Sequence, residues 1–154
     1  MAQLSINVTG NKQVAVALER LRQAVGDDFT EPFQDVAQDL KEFTQGDVFD
    51  SEGSAAGQHW AELSEPYAHL KALQYPGKGL LEATGLLLDS FTSIIQSDSM
   101  LFTNTASYAI YHQVGTSKMP ARPIFQVNEE VAALIGRAFE KHVERAIDQE
   151  WHGE

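Results

Sequence analysis

Histidine is the side chain in this sequence best suited to acid–base chemistry or to metal binding. Five are present, at positions His59, His69, His112, His142 and His152. None of them forms the His-Glu-x-x-His spacing that presents two imidazoles to one zinc ion from a helix. A metal site at His59 and His69, which lie in the same predicted loop, would need carboxylates from elsewhere in the chain. The spacing therefore predicts no metal site and no cofactor.

His112 has the most suggestive neighbours of the five. Tyr108 precedes it by four positions, which places both rings on one face of a helix, and Tyr111 is adjacent. One interpretation is a general base beside a substrate, and the other is a half-buried imidazole hydrogen-bonded to the backbone or to a tyrosine. The second is favoured because no nucleophile or orienting acid occupies a recognisable spacing from His112.

Two glycine-rich segments do not match catalytic motifs either. The segment Tyr75-Pro-Gly-Lys-Gly79 is shorter than a Walker loop and lacks the Ser or Thr that follows the lysine. Gly53 and Gly57 around Ser54 do not form a nucleophile elbow. The sequence therefore predicts a protein that is not an enzyme.

Two other features are suited to making contacts. Trp60 lies in a polar, glycine-rich loop, where its indole must bury against its own domain or against a neighbour, and burial in its own domain is favoured. Pro120 and Pro123 fix the backbone on either side of Arg122. In an acidic protein this arginine is expected to meet a carboxylate, in its own subunit or in the next one.

Composition narrows the class of protein. At 154 residues, with 43% hydrophobic and 21% charged residues, the chain has the make-up of one folded domain spanning residues 1–154. The net charge of −11 contains no basic patch, so direct nucleic-acid binding is not expected. No apolar run is long enough to span a membrane, and the N-terminus lacks the pattern of a signal peptide. With no cysteine, no disulfide is possible, and an intracellular site of synthesis is expected.

The elements that must position these residues follow from the hydrophobic periodicity. A strand is predicted at Leu4–Val8, and helices are predicted at 11–25, from Thr30 to about Phe43, at 80–91 and at about 128–148. The stretch from 50 to 79 reads as long and partly irregular. Residues 92–96 and 100–103 flank a Ser-Asp-Ser turn and predict a hairpin.

A short aromatic helix that ends at Gly115 precedes the Pro-x-x-Pro turn. Together these elements predict an α+β fold with a small antiparallel sheet and three to four helices, including a long C-terminal one.

Four blocks between residues 49 and 125 occur in an order typical of a known family. They are Phe49-x3-Gly53-x3-Gly57-x2-Trp60-x2-Leu63-Ser64, Leu81-x2-Thr84-Gly85-x-Leu87-x2-Ser90, Tyr108-Ala109-x2-His112-Gln113-x-Gly115 and Met119-Pro-Ala-Arg-Pro123. The chain resembles the phage virion morphogenesis family, the tail-completion proteins of Mu-like tailed phages and prophages. It departs from the family after Trp60, where Pro66 and Tyr67 precede Lys71 in place of a threonine and a basic cluster.

The resemblance implies a non-enzymatic structural protein that completes the tail or forms the head–tail joint. It also implies a homo-oligomeric ring, with six subunits as the common number, that contacts tail tube or terminator proteins or head-connector proteins. The expected locations are the host cytoplasm during assembly and then the virion. The residues that carry the resemblance, and that we expect at interfaces, are Trp60, Thr84, Gly85, Tyr108, His112, Gly115, Pro120, Arg122 and Pro123.

A ring requires two different contact faces on each subunit, and the Trp60 loop and the Arg122 turn are candidates for the two. Three alternatives stay open from the sequence. The first is a head-side neck or adaptor protein, and the second is a phage-encoded metal-dependent hydrolase that uses the histidines. The third is an acidic DNA mimic that occupies a host protein's nucleic-acid site.

Overall fold

A computed structural model describes residues 12–152 of the chain, with side chains from Val16 to Trp151. The predicted strand at Leu4–Val8 lies outside the described residues. Within them, the helices are α1 (Lys12–Val25), α2 (Thr30–Phe43), α3 (Glu65–Gln74), α4 (Leu86–Asp89), α5 (Ala109–Val114) and α6 (Glu129–His152). The strands are β1 (Phe91–Ile95) and β2 (Met100–Asn104). The predicted α+β class with a long C-terminal helix is confirmed. The described residues contain six α-helices where three to four were predicted, and α3, α4 and α5 are shorter than the other helices.

Helices α1 and α2 both pack against α6 and form the helical part of the fold. The ring of Phe139 on α6 lies 5.7 Å from the ring of Phe29 and 5.3 Å from that of Phe33, measured between centroids. The predicted ends of α1 and α2 agree with the structure, whereas α6 continues to His152, beyond its predicted end at about residue 148. Gly26 follows α1 with φ +68°, and the Asn128 side chain accepts a hydrogen bond from the Val131 N–H (2.9 Å) at the start of α6.

Strands β1 and β2 form an antiparallel hairpin with Phe91 opposite Asn104 and Ile95 opposite Met100. This confirms the predicted hairpin and its turn at residues 97–99. A π-helical turn, Thr44–Val48, continues directly from α2. Helix α2 packs against β1. Phe91 stacks on Phe102 across the hairpin (5.5 Å between centroids) and meets Phe49 edge-on, so the hairpin and the end of α2 share one aromatic core.

The predicted helix from Leu80 to Phe91 is wrong over most of its length. Its α-helical part is confined to Leu86–Asp89, and Phe91 opens β1. The cause is Gly85, which has φ +84° and therefore cannot continue a right-handed helix from the residues before it. The leucine content of this stretch suggested a helix, but the backbone at one glycine decided against it.

The stretch from 50 to 79 is more regular than the sequence indicated. It contains a 3-10 turn at Ser54–Ala56 and the ten-residue helix α3. Pro66 lies in the first turn of α3, where a missing N–H is tolerated, and this was the available signal for a helix start. Nearly all of α3 is exposed, so it lacks the clear apolar stripe from which a helix is predicted.

Candidate functional site

A cleft of about 860 Å³ lies between the loop after Trp60, the start of α3, the segment around α4, helix α5 and the Pro-x-x-Pro turn. Six of the nine residues singled out from the sequence line it, namely Thr84, Gly85, Tyr108, His112, Pro120 and Arg122. The other three, Trp60, Gly115 and Pro123, are not among its lining residues. Blocks that are separated along the chain therefore meet at one place in the fold.

Trp60 lies behind the cleft and is 1% exposed. Its indole N–H donates a hydrogen bond to the carbonyl of Pro123 (2.7 Å), and its ring meets Phe49 edge-on at 5.2 Å between centroids. A Cβ atom added to Gly53 would come within 2.4 Å of the indole, so this glycine is required by the packing. Burial of Trp60 in its own domain, the favoured prediction, is confirmed.

Arg122 is 4% exposed and holds the Pro-x-x-Pro turn against the loop after Trp60. Its Nε donates to the carbonyl of Ala61 (2.6 Å) and its Nη2 to that of Glu62 (2.8 Å). Its own backbone N–H donates to the carbonyl of His112 (2.7 Å). Burial lowers the pKa of Arg122, with the charge of Glu62 opposing it, yet a guanidinium keeps its charge at physiological pH.

The prediction that Arg122 pairs with a carboxylate is therefore wrong within this subunit, because its guanidinium binds backbone carbonyls instead. The burial of Trp60 and Arg122 also weighs against the hypothesis that the Trp60 loop and the Arg122 turn are the two contact faces of a ring. Both side chains are buried within one subunit and connect the same two segments. The two side chains hold together the loop after Trp60 and the Pro-x-x-Pro turn, which both border the cleft.

Gly115 allows α5 to end and the chain to reverse closely. Its φ is +74°, and a Cβ atom added there would lie 2.7 Å from the backbone nitrogen of Ala121. The Thr116 N–H donates to the Met119 carbonyl (2.8 Å), which closes the turn that follows. The predicted glycine stop is confirmed, and its reason is contact between two backbone segments.

Gln113 is a positioning residue that sequence reasoning quoted but did not single out. Its Oε1 accepts hydrogen bonds from the N–H groups of Ile124 (3.0 Å) and Phe125 (3.2 Å), and its Nε2 donates to the Phe125 carbonyl (2.7 Å). One amide thus satisfies three backbone groups of an irregular segment. The available signal was its place beside His112 in the third block.

His112 lies partly buried on the cleft wall, with its ring edge-on to that of Tyr108 at 5.9 Å between centroids. The predicted shared face is confirmed, but the predicted hydrogen bond is not, since Nδ1 is buried without a partner. Burial lowers the pKa of His112, and the charge of Arg122 lowers it further. Among residues 12–152 no group of three or more His, Asp or Glu side chains is arranged to hold a metal ion.

Lys71 is another residue whose position the sequence did not indicate. It is 6% exposed, and its Nζ donates to the carbonyls of Gly79 and Leu80 (2.6 Å to Leu80). Burial lowers its pKa, while Glu82 and Glu52 act in the opposite direction. Lys71 fixes α3 to the loop that leads into the cleft wall.

The cleft surface is largely apolar, with few charges. Tyr67 and Leu86 contribute exposed apolar surface, at 51% and 53% exposure. The charged lining residues are Glu62, Lys118 and Arg122. An apolar cleft with a few polar groups and a hydrogen-bonded back wall is suited to holding an apolar side chain of a partner.

Across the described helices, 12–152, none combines the length and apolarity needed to cross a bilayer. Comparison with known proteins identifies one family. The model of the phage virion morphogenesis family matches residues 9–144, which includes the four blocks and most of the flanking helices.

Among curated proteins, Mu-like prophage FluMu G protein 1 of Haemophilus influenzae is 32% identical over 95 residues. These residues are 58% of this chain and 65% of that protein, so the chain spans just under two thirds of the relative's length. No solved structure matches the chain.

Proposed function

The chain belongs to the phage virion morphogenesis family, and from this premise we propose that it completes the phage tail or forms the head–tail joint. In this proposal the protein acts as a homo-oligomeric ring, with six subunits as the expected number. Its neighbours in the virion are tail tube or terminator proteins on one side and head-connector proteins on the other. It acts without catalysis and without a cofactor.

The observation that carries this proposal is the convergence of the four family blocks on one cleft. The first block supplies Leu63 and Ser64, and the second supplies Thr84 and Gly85. The third and fourth blocks supply Tyr108, His112, Met119, Pro120 and Arg122. Buried residues of the same blocks, such as Trp60, stiffen the cleft from behind. A prearranged surface of this kind favours binding because little conformational entropy is lost on contact.

The composition of the cleft supports binding rather than reaction. His112 is its one imidazole, and its buried Nδ1 has no hydrogen-bond partner, so no carboxylate orients the ring as a general base. The described residues offer no clustered carboxylates and histidines for a metal. A metal-dependent hydrolase therefore draws no support from the described part of the chain.

The test is to delete the gene from the phage or induced prophage and to image the particles by negative stain. The expected result is separate heads and tails, or tails with an open or irregular upper end, with joining restored by a plasmid copy. Normal particles that form without the protein would overturn the proposal.

Mixing extracts distinguishes the tail side from the head side. Tails from the deletion strain should fail to join wild-type heads, whereas deletion-strain heads should join wild-type tails. The reverse pattern would identify a head-side neck or adaptor protein instead. Immunogold labelling of joined particles should place the protein at the head–tail junction.

A further inference from the structure

The last two turns of α6 carry apolar surface that its own subunit leaves partly uncovered. Ala146 is buried at 7% exposure, but Ile147 is 36% exposed and Trp151 is 45% exposed. Four positions separate these two residues, so they lie on one face of the helix. Tryptophan is among the residues that most often anchor protein interfaces.

Trp151 does not line the cleft of its own subunit. The helix begins beside the 3-10 turn at Ser54–Ala56, where the Asn128 side chain donates to the carbonyl of Ala55 (2.8 Å). Its later turns are held to the start of α2 by ion pairs of Lys141 with Asp35 (3.0 Å) and of Arg145 with Glu31. From Asn128 to Trp151 the helix rises by about 35 Å, and no α6 residue lines the cleft.

We propose that the Ile147–Trp151 face of one subunit binds in the cleft of the next subunit, with the Trp151 indole as its anchor. The inference rests on the proposed ring and identifies its contact. Because the two surfaces differ and share no residue, the contact is heterologous and propagates from subunit to subunit until the ring closes.

The charges of the two surfaces are complementary. The cleft carries Lys118 and Arg122 against one acid, Glu62, which is a local excess of one positive charge in a chain of net charge −11. The helix end carries Asp148 and Glu150 and has no Lys or Arg after position 145. The negative end of the helix dipole adds to the negative charge at this end of α6. The exposed Lys118 of the cleft therefore favours the approach of a helix C-terminus.

Disulfide trapping tests the contact directly, because the sequence contains no cysteine. A chain with both Leu86→Cys and Gln149→Cys should give, on mild oxidation, a ladder of cross-linked oligomers that ends at the ring. Neither single variant can form more than dimers. The matched control combines Gln149→Cys with Ile94→Cys, an exposed position on the hairpin, and should give no ladder.

Light scattering gives a second measurement. Trp151→Ala should leave the circular-dichroism spectrum of the subunit unchanged and raise the dissociation constant between subunits by about 30-fold or more. Ile94→Ala removes a similarly exposed apolar side chain from the hairpin and should leave assembly intact. Lys118→Glu should weaken assembly, and adding Glu150→Lys should restore it.

The outcomes separate this contact from the proposed function. A ring that persists in Trp151→Ala, or a double-cysteine chain that gives no ladder, overturns the contact while the tail-completion proposal stands. A wild-type chain that stays monomeric at every concentration also overturns the contact. Normal virions in the gene deletion overturn the proposed function, whatever the cross-linking shows.

Discussion

Trp60 and Pro123 are joined by a hydrogen bond from the indole N–H to the backbone carbonyl, 2.7 Å long and spanning 63 positions of sequence. Both residues belong to the family blocks, and neither lines the cleft. The bond fixes the Pro-x-x-Pro turn relative to the loop after Trp60. Part of the family signature thus positions the walls of the cleft rather than lining it.

Trp60→Phe should destabilise the fold by about 1–3 kcal/mol, because the Pro123 carbonyl loses its donor in a buried setting. The free energy of unfolding is measured by urea denaturation followed by circular dichroism. Tyr111→Phe is the control and should change that free energy little, because Tyr111 is 54% exposed. Equal effects of the two substitutions would contradict the positioning role of Trp60.

Arg122→Met should destabilise the subunit by about 2–3 kcal/mol, because the carbonyls of Ala61 and Glu62 lose a charged donor. The same substitution at the exposed Arg137 should have little effect on the urea midpoint. Arg122→Lys should recover part of the loss, since an ammonium cannot reproduce the geometry of the guanidinium fork. If Arg122→Met abolished oligomers with no loss of subunit stability, Arg122 would be an interface residue after all.

Glycine-to-alanine substitutions at two positions should change the stability of the fold in opposite directions. Gly53→Ala should destabilise by more than about 1 kcal/mol, because its φ is +87° and a Cβ atom there would collide with Trp60. Gly136 lies inside α6 with open space around it, so Gly136→Ala should stabilise by about 0.5–1 kcal/mol. Thermal melts of the two variants beside the wild type decide both signs at once.

Gln113→Leu should destabilise by about 1–3 kcal/mol, because three backbone groups at Ile124 and Phe125 lose their partners. Gln34→Leu, at an exposed site on α2, is the matched control for the change in polarity. Backbone amide exchange at positions 124 and 125 should accelerate in Gln113→Leu and not in the control. Unchanged protection of these two amides would refute this role.

Acid should weaken the fold through His112. Burial first and Arg122 second lower the pKa of His112, so in acid the unfolded chain binds a proton that the folded chain resists. Stability from the neutral imidazole is complete above the unfolded pKa of about 6.5 and decreases as the pH falls below it. In His112→Gln the free energy of unfolding should decrease less between pH 7 and pH 5 than in the wild type. An imidazole titration followed by NMR with a midpoint above 6.5 would contradict the direction of the shift.

The sequence by itself determined the features that depend on local rules. Regular apolar periodicity predicted α2 and α6, and alternation around a Ser-Asp-Ser turn predicted the hairpin. The order and spacing of the four blocks identified the family. Local signals sufficed because the backbone hydrogen bonds of each of these elements are made within the element itself. The spacing of apolar residues also identifies the face that each element buries.

Only the tertiary structure decided what the block residues do. Arg122 was expected to meet a carboxylate, yet it is buried and bound to carbonyls 60 and 61 positions away in the sequence. Gly85 interrupted a leucine-rich helix because its φ is positive, which the composition of that stretch does not indicate. Partners that lie far apart in sequence meet through packing, and a buried polar group takes whichever acceptor the fold leaves unpaired. The cleft that joins the blocks is therefore a property of the fold and not of any one segment.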